Sequence, residues 1–455
     1  MKTIKNLIWM AALALTAATW SACSNDDEPT AAEQPAQSRT YTVTTTLSPR
    51  NGAATRSKMT DVGGTTGITA EWQKDDQIWV GYYQDGGDYQ NTTAVVTAVD
   101  PSTKAATIRV TLTNPQDNGN IYFGYPYSYY AKTKNPNTDQ TGTLADINAN
   151  FAAIEGSGRM NVSSSGVTID PPSSMAPRMC IWKFTFTHGT SNITSDITKL
   201  VINIPENNQT YTVSPSSQSP IYVAMYGDGF STPKSISITA NTSTGVYRKV
   251  AASVTLAAGK TYTTTSLALT SSAVVNAVPG DIGSVIGADG NIYPNANIAT
   301  TFGTTARAMI AYVGSASDCA HGLAIQLNGS PETKKWADNQ AKNYAEGLTA
   351  IDGGTWRLPS KADWQNMFLA CAKSGDASSV DADGKMDPIA GFKEKIAATG
   401  TTWDSSVYYW SSTKVSESSE NAWCVSVNLG GDNAYAKFYE GVPSMSYYVL
   451  GCLAF

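Results

Sequence analysis

Apolar and polar side chains alternate residue by residue in most of the apolar segments before about Ala273. The pattern is clearest from Tyr41 to Leu47, where Tyr41, Val43 and Leu47 alternate with threonines. Successive side chains of a β-strand point to opposite faces of the sheet, so this period predicts a strand with one apolar face. Helical periodicity is nearly absent in the same region. A mainly β fold is therefore expected there.

Further strand-like segments follow at short intervals, separated by Gly, Pro and Asn residues. Short strands at such spacing favour β-sandwiches over an alternating α/β fold. We therefore predict two β-sandwiches in tandem, with the second beginning at about Pro171. The predicted strands are Gln77 to Tyr83, Thr92 to Val99, Thr107 to Leu112 and Ile121 to Tyr125, then Met179 to Thr187, Lys199 to Ile204, Ile221 to Met225, Ser235 to Ala240, Val246 to Leu256 and Tyr262 to Leu269.

The region after Ala273 has a mixed pattern. Apolar residues at helical spacing predict an amphipathic helix from Lys334 to Leu348. A second helix is predicted to begin at Ser360, an N-cap residue with Asp363 three positions later. An α+β unit is expected, with strands at Tyr408 to Ser411, Ala422 to Leu429, Tyr435 to Tyr439 and Tyr447 to Phe455.

The charge balance excludes some partners. Without Lys2 and Lys5, 29 basic side chains face 37 acidic ones, and no basic block is present to neutralise phosphates. Nucleic acid is not expected as a partner. Charged residues make up 15% of the chain and aromatic residues 10%, which together indicate a globular protein with a surface of hydroxyls and amides.

The first residues have the features of an export signal. Lys2 and Lys5 precede an apolar run from Leu7 to Trp20, and Ala22 lies directly before Cys23. The junction resembles the lipobox of bacterial lipoproteins, although Trp20 stands where that family usually has Leu. The resemblance implies acylation of Cys23 and anchoring in the outer membrane. An ordinary signal peptide cleaved near Ala22, with Cys23 left free, is the alternative.

Four segments before Leu269 resemble the fimbrillin family, the pilins of type V pili. They are Trp72 to Ile78, Gly124 to Pro126, Gly142 to Ile147 and Leu256 to Tyr262. This resemblance implies transthyretin-like β-sandwiches assembled by strand donation. Generic strands and turns of another surface β-protein are the alternative reading.

The region from about Gly280 onward resembles the C-type-lectin-like fold of bacterial surface proteins. The matching segments are His321 to Ile325, Trp356 to Ser360, Tyr409 to Thr413 and Ala422 to Val425. Together the two resemblances predict a signal peptide (1–22), a lipidated propeptide with a removable first strand (23–56), two fimbrillin sandwiches (57–170 and 171–272) and a lectin-like domain (273–455).

In fimbrillins a protease cuts after an arginine, the first strand is lost, and a strand of another subunit fills the groove. The resemblance makes Tyr41 to Leu47 the removable strand, with cleavage after Arg56 or Arg50. The chain finishes within the predicted closing strand, Tyr447 to Phe455, which suggests a subunit that accepts a strand and donates none. The expected function is a pilus tip subunit with a stalk or adaptor pilin as partner.

The lectin-like region is expected to bind a glycan or protein ligand of a host or bacterial surface. Aromatic rings suit both, and in the related proteins the last strands carry the ligand site. The calcium-binding triplets of sugar-binding lectins are absent from this region, and Asp381, Asp383 and Asp387 fit an Asp- and Gly-rich turn better than a cation site. The candidate ligand-binding residues are Trp423, Asn433, Tyr435, Tyr439, Tyr447 and Tyr448.

No cofactor, metal or enzymatic activity is expected. His188 and His321 are the only histidines, and neither has a nucleophile motif nearby. The lectin-like fold is shared with formylglycine-generating enzymes, but the cysteines after Cys23 lack metal spacing and are expected to be buried thiols, with a Cys424–Cys452 disulfide as the alternative. A surface lipoprotein that never polymerises remains the second functional hypothesis.

Overall fold

The computed structural model describes residues 38–47, 58–61, 68–170, 175–227, 232–316, 319–327, 332–401, 403, 407–430 and 434–455. From Thr40 to Phe455 they belong to one compact unit. The fold is mainly β, as the sequence predicts, and its strands form several separate sheets. Within the described residues, no helix combines the length and apolar character that a membrane-spanning helix requires.

The first region is built on one eight-stranded sheet with the strand order β1-β6-β5-β4-β7-β8-β10, and β9 pairs with β8. The sheet curls around its core, so β1 lies against β9. A short hairpin, β2-β3, accompanies it. The strands are β1 (Thr40–Leu47), β2 (Lys58–Asp61), β3 (Ile68–Glu71), β4 (Gln77–Tyr83), β5 (Tyr89–Val99), β6 (Ala106–Thr113), β7 (Asn120–Tyr125), β8 (Ile154–Ser163), β9 (Gly166–Asp170) and β10 (Ala176–Pro177).

Three short helical segments connect β7 to β8: α1 (Tyr127–Tyr130), α2 (Leu144–Asp146) and a π-helical turn (Ile147–Phe151). The π-helical turn buries Ile147 and Phe151 against Ile181, Tyr222 and Ala224 of the second region. The first and second regions therefore share a small apolar interface.

The second region is a sandwich of two sheets around an aromatic and aliphatic core. One sheet has the order β12-β11-β15, with β18 parallel to β11, and the other has the order β14-β13-β16-β17-β19. Phe184 and Phe186 of one sheet and Leu200 and Ile202 of the other are fully buried in this core. The strands are β11 (Met179–His188), β12 (Ser191–Asn192), β13 (Lys199–Ile204), β14 (Gln209–Val213), β15 (Ile221–Tyr226), β16 (Lys234–Thr242), β17 (Gly245–Val254), β18 (Thr261–Ala268) and β19 (Thr270–Ser271).

In its described residues the third region combines two six-stranded sheets with four α-helices, an α+β arrangement. The sheet orders are β21-β20-β22-β23-β31-β25 and β24-β30-β27-β28-β29-β26. The helices are α3 (Ala296–Thr301), α4 (Gln340–Glu346), α5 (Lys361–Ala370) and α6 (Ala390–Ala398), and the strands are β20 (Val285–Gly287), β21 (Ile292–Tyr293), β22 (Ala306–Val313), β23 (Gly322–Gln326), β24 (Glu332–Lys335), β25 (Thr355–Arg357), β26 (Lys385–Met386), β27 (Val407–Lys414), β28 (Ala422–Asn428), β29 (Tyr435–Gly441), β30 (Ser446–Val449) and β31 (Cys452–Ala454).

Helix α5 begins where the sequence predicts. The Ser360 hydroxyl accepts the Asp363 N–H, and the Asp363 carboxylate accepts the Ser360 N–H, which forms a capping box. Trp364, Met367 and Phe368 are buried along one face of the helix, as expected from their spacing.

Two predicted elements are wrong. The helix expected from Lys334 begins only at Gln340, because the residues before it pair as β24 with β30 and because Asp338 and Asn339 have φ values of 58° and 55°. The single strand expected from Tyr447 to Phe455 is two strands, β30 and β31, in different sheets. The break lies at Gly451, whose N–H donates to the Gln326 side chain instead of continuing a ladder.

The second and third regions are joined by buried contacts. The Arg248 guanidinium lies 2.5 Å from the Asp281 carboxylate, and the two side chains are 6% and 1% exposed. Two further guanidinium N–H groups donate to the carbonyls of Ser271 and Asn276. Val201 and Val246 of the sandwich are part of the core cluster of the third region.

Candidate functional site

The first strand, β1, stands at the edge of the first sheet and pairs with β6 along its whole length. Val43 faces the core and is 4% exposed, and Leu47 is fully buried, whereas Thr42, Thr44 and Thr46 are exposed. The strand thus contributes two apolar side chains and a full ladder of antiparallel hydrogen bonds. Cys23, Arg50 and Arg56 lie outside the described residues.

The aromatic residues of the last strands divide between the two faces of one sheet. In an antiparallel pair, residues directly opposite one another point to the same face. Cys424 is opposite both Trp410 and Tyr439, and Ser426 is opposite Tyr408. Tyr435 and Tyr439 are therefore on one face with Tyr408 and Trp410. Tyr447 lies there too, with its ring 4.6 Å from that of Trp410.

Tyr408 is at the centre of this aromatic face. Its ring centroid lies 5.4 Å from that of Tyr439 and 5.3 Å from that of Tyr447, and the residue is 38% exposed. Lys437 lies on the same face, with its ammonium group 5.4 Å from the centre of the Tyr439 ring. We call Tyr408, Tyr435, Lys437, Tyr439 and Tyr447 the aromatic face.

Tyr408 was not among the candidates from the sequence. The signal was present, because Tyr408 stands two positions before Trp410 and must share its side of a strand. What the sequence lacked was the register that brings Tyr408 beside Tyr439 and Tyr447.

The other candidates lie elsewhere. Trp423 and Tyr448 are half-buried and pack against the main core of the third region, on the face that helix α5 covers. The Lys361 ammonium group lies 3.2 Å from the centre of the Trp423 ring, and burial lowers the pKa of this lysine. Asn433 is outside the described residues. Trp423 and Tyr448 are thus not brought together with the aromatic face.

The Asp381 side chain organises a turn. One of its carboxylate oxygens accepts the N–H groups of Asp383 at 2.9 Å and of Lys385 at 2.7 Å. Lys385 in turn forms an ion pair with Asp387 at 2.5 Å. These contacts are those of an Asx-type turn. The described residues contain no group of three or more His, Cys, Asp or Glu side chains placed to share a metal ion.

Cys180, Cys371, Cys424 and Cys452 are buried thiols, so Cys424 and Cys452 are not paired in a disulfide. Burial raises the pKa of Cys180, Cys371 and Cys424 to about 12 and also raises the pKa of Cys452. A thiol that stays protonated at neutral pH is a poor nucleophile. These groups are therefore unsuited to thiolate chemistry.

No family model matches the sequence, and no curated protein is significantly similar to it. Several solved structures are similar to about half of the chain. A proposed cell adhesion protein from Bacteroides ovatus is 12% identical, with 47% of this chain and 91% of that one covered at a TM-score of 0.27. One from Bacteroides fragilis is 10% identical, with 50% and 92% covered at a TM-score of 0.28.

The tip fimbrial protein Mfa3 from Porphyromonas gingivalis, solved with a C-terminal truncation, is also similar in part. The identity is 10%, and the similarity covers 46% of this chain and 81% of that one at a TM-score of 0.22. Similarity this low carries no inference about the activity of this chain.

Proposed function

We propose that this protein is an exported surface lipoprotein that becomes the tip subunit of a pilus. Its first region accepts a strand from a stalk or adaptor pilin, and its third region faces outward as an adhesin. The observation that carries the proposal is the position of β1, an edge strand whose removal would leave a groove of matching shape.

Removal of β1 would expose both backbone and side-chain surface. Strand β6 would lose its antiparallel partner along eight residue pairs, and the pockets of Val43 and Leu47 would open. Burying each such side chain contributes roughly 1.5–3 kcal/mol, and an unpaired strand edge readily takes up another strand. A donor strand with the same two-residue alternation would restore both contributions, which is β-augmentation.

The release step is assigned to the segment after β1. Arg50 and Arg56 follow the strand in sequence, within a stretch that contains Pro49 and Gly52. Cleavage after either one would separate β1 from the rest of the chain. Acylation of Cys23 would hold the precursor at the outer membrane until that cleavage.

The last strand, β31, is poorly suited to donation. It is paired on both sides, with β23 and with β25, and Cys452 and Leu453 are fully buried. Withdrawing it would split the sheet and open the core of the third region. Strand β31 is therefore expected to stay in its own sheet rather than pass to a neighbouring subunit.

Adhesion is assigned to the aromatic face. Tyr408, Tyr439 and Tyr447 offer apolar ring area with hydroxyl groups, and Lys437 adds a cation beside them. Such side chains suit a glycan or a protein epitope. This assignment keeps Tyr435, Tyr439 and Tyr447 from the sequence-based candidates and adds Tyr408.

The first experiment is N-terminal sequencing of the protein recovered from sheared surface fibres, compared with the membrane-retained form. We expect a new terminus at Asn51 or Ser57 in the fibre fraction. An acylated terminus at Cys23 together with absence from fibres would replace the proposal with a surface lipoprotein that does not polymerise.

A variant set tests the processing step. The double variant Arg50→Gln/Arg56→Gln should stay unprocessed and should not join the stalk pilin. Arg39→Gln is the matched control, because Arg39 precedes β1 and a cut there would leave the strand in place. Normal assembly of the double variant would contradict strand loss as the trigger.

A further inference from the structure

The outer face of the first sheet carries a second group of aromatic side chains, on strands other than β1 and its partner β6. Trp79 and Tyr83 of β4, Tyr89 of β5, Tyr122 of β7 and Tyr130 of α1 line a cleft of about 860 Å³ there. We call these five residues the aromatic platform. A cleft of this volume is within the usual range for small-molecule sites, about 300–1,000 Å³.

Two glycines allow the rings to approach the sheet closely. Trp79 is opposite Gly124 on β7, and Gly81 is opposite Tyr122. A Cβ atom at Gly124 would come within 2.6 Å of three atoms of the Tyr130 ring, and one at Gly81 would overlap the Tyr89 hydroxyl and the Trp79 ring. The rings of Trp79, Tyr89 and Tyr130 occupy the space that a side chain at Gly81 or Gly124 would fill. Any other residue at either position would displace these rings.

The rings contact one another both face to face and edge to face. The Trp79 and Tyr130 centroids are 5.8 Å apart with an angle of 22° between their planes, and Tyr83 and Tyr89 are 5.2 Å apart. Tyr89 is 46% exposed and Tyr83 is 36% exposed. Rings this accessible on the outer face of a sheet contribute nothing to the core, which is filled from the inner face by Ile78 and Val80.

The polar groups of the cleft are mostly uncharged. Tyrosine hydroxyls and the Ser157 side chain lie among the rings, and Glu155 is the one charged side chain among the described lining residues. The Tyr130 hydroxyl donates to Glu155 at 3.3 Å, and Arg178 forms an ion pair with the same carboxylate at 3.4 Å. The carboxylate is thus held in place with oxygen lone pairs still able to accept hydrogen bonds.

We propose that the aromatic platform is a binding site for an uncharged oligosaccharide. The face of an aromatic ring carries the negative part of its quadrupole, which attracts the slightly positive C–H groups on the face of a sugar ring. Carboxylate and hydroxyl oxygens accept and donate hydrogen bonds to sugar hydroxyls. With one carboxylate and no lining cation among the described residues, the site does not favour an anionic ligand.

This site is independent of the proposed strand exchange. The platform lies on β4, β5, β7 and α1, whereas strand exchange concerns β1 and its partner β6. It is also separate from the aromatic face, which belongs to the third region. Loss of ligand binding at the platform is therefore expected to leave strand exchange at β1 and binding at the aromatic face unchanged.

The test is binding of the purified protein to an array of neutral oligosaccharides of glucose, galactose, mannose, fucose and N-acetylhexosamines, followed by titration calorimetry on the best ligand. We expect Trp79→Ala and Tyr89→Ala each to raise the dissociation constant by about tenfold or more, which is the effect of losing one stacked ring. Trp79→Phe, which keeps an aromatic ring, should retain most of the affinity.

Leu369→Ala is the control, since it removes an apolar side chain of helix α5 that is 38% exposed and lies outside both aromatic groups, and it should leave binding at the platform unchanged. Tyr89 is nearly half exposed, so its variant should fold, and thermal melting checks this directly. Binding that survives in Trp79→Ala and Tyr89→Ala, binding that is lost equally in Leu369→Ala, or no binding to any neutral oligosaccharide would each overturn the proposal.

Discussion

At the scale of single residues, Arg248 and Asp281 form a buried ion pair whose disruption should lower the stability of the protein. Both are almost completely buried, and the guanidinium donates hydrogen bonds to Asp281 and to two backbone carbonyls. A buried pair of this kind adds little net stability compared with an apolar replacement of both partners. Removing only one partner is costly, because the other charge stays buried without compensation.

Arg248→Met should therefore lower the free energy of unfolding by about 3–5 kcal/mol. Urea denaturation followed by circular dichroism measures it. The matched control is Lys342→Met, which removes an exposed pair with Glu346 at 3.8 Å. That change should stay within about 0.5 kcal/mol. Equal effects of the two substitutions would contradict the buried-pair interpretation.

The buried thiols make a second prediction at this scale. Burial raises the pKa of Cys424 from its ordinary 9.0 to about 12, so at pH 8 its thiolate fraction should be about 10³-fold smaller than in the unfolded chain. Labelling with a disulfide reagent, located by peptide mass spectrometry, should be slow in the native protein and fast in guanidinium. Rapid native labelling of Cys180, Cys371 or Cys424 would contradict it.

The raised pKa values of these cysteines also make the stability of the folded state depend on pH. When the pKa of a thiol is higher in the folded state than in the unfolded state, its contribution to the stability of the folded state is fully present at pH values below the unfolded pKa. This contribution is lost as the pH rises through the folded pKa. Stability should therefore fall between about pH 9 and pH 12 as the unfolded thiols ionise. Below pH 9, these cysteines should cause no pH dependence.

At the scale of elements, β1 shows how an edge strand can belong to a core and still be removable. Val43 and Leu47 are buried on its inward side, but β6 is its one hydrogen-bonded partner in the described sheet, and β9 lies near its other edge without pairing with it. The strand is therefore held by one ladder and one apolar stripe. Removing apolar contacts of β1 should lower the stability of the uncleaved protein without altering the structure of the other regions.

Leu47→Ala should destabilise the unprocessed protein by about 2–5 kcal/mol, because a fully buried leucine leaves a cavity. Thr44→Ala, on the exposed side of the same strand, should change stability by less than about 0.5 kcal/mol. Thermal melting of the uncleaved protein compares them. A small effect of Leu47→Ala would mean that β1 contributes little to the core.

At the scale of the whole molecule, the second and third regions are linked by a shared core and by the buried ion pair. Val201 and Val246 of the sandwich pack in the apolar cluster of the third region, and Lys199 donates to the carbonyl of Thr301 at 2.6 Å. Domains joined through loose linkers open separately, whereas an interface with shared buried groups couples their opening.

We therefore expect β13 and β16 of the second region to exchange amide hydrogens with the same opening free energy as β22 and β23 of the third. Hydrogen-exchange mass spectrometry in low denaturant measures these energies. The double variant Arg248→Met/Asp281→Asn should separate the two groups of strands. Distinct opening energies already in the unaltered protein would contradict the coupling.

Local patterns were enough to predict most individual elements. The alternation from Tyr41 to Leu47 predicted β1 and its buried side, and Ser360 with Asp363 predicted the start of α5. Both signals depend on residues within a few positions of one another, so the sequence contains all of the relevant information. The helix expected from Lys334 is wrong because its first residues pair with β30, more than a hundred residues away.

The sequence by itself determined that the chain is mainly β, where most strands and one helix lie, and which side of β1 is apolar. Only the tertiary structure decided which side chains share a surface. Tyr408 joins Tyr439 and Tyr447, Trp423 faces the core, and Gly81 and Gly124 make room for the rings of the platform. The reason is that cross-strand register depends on pairing between distant segments, which no local period encodes.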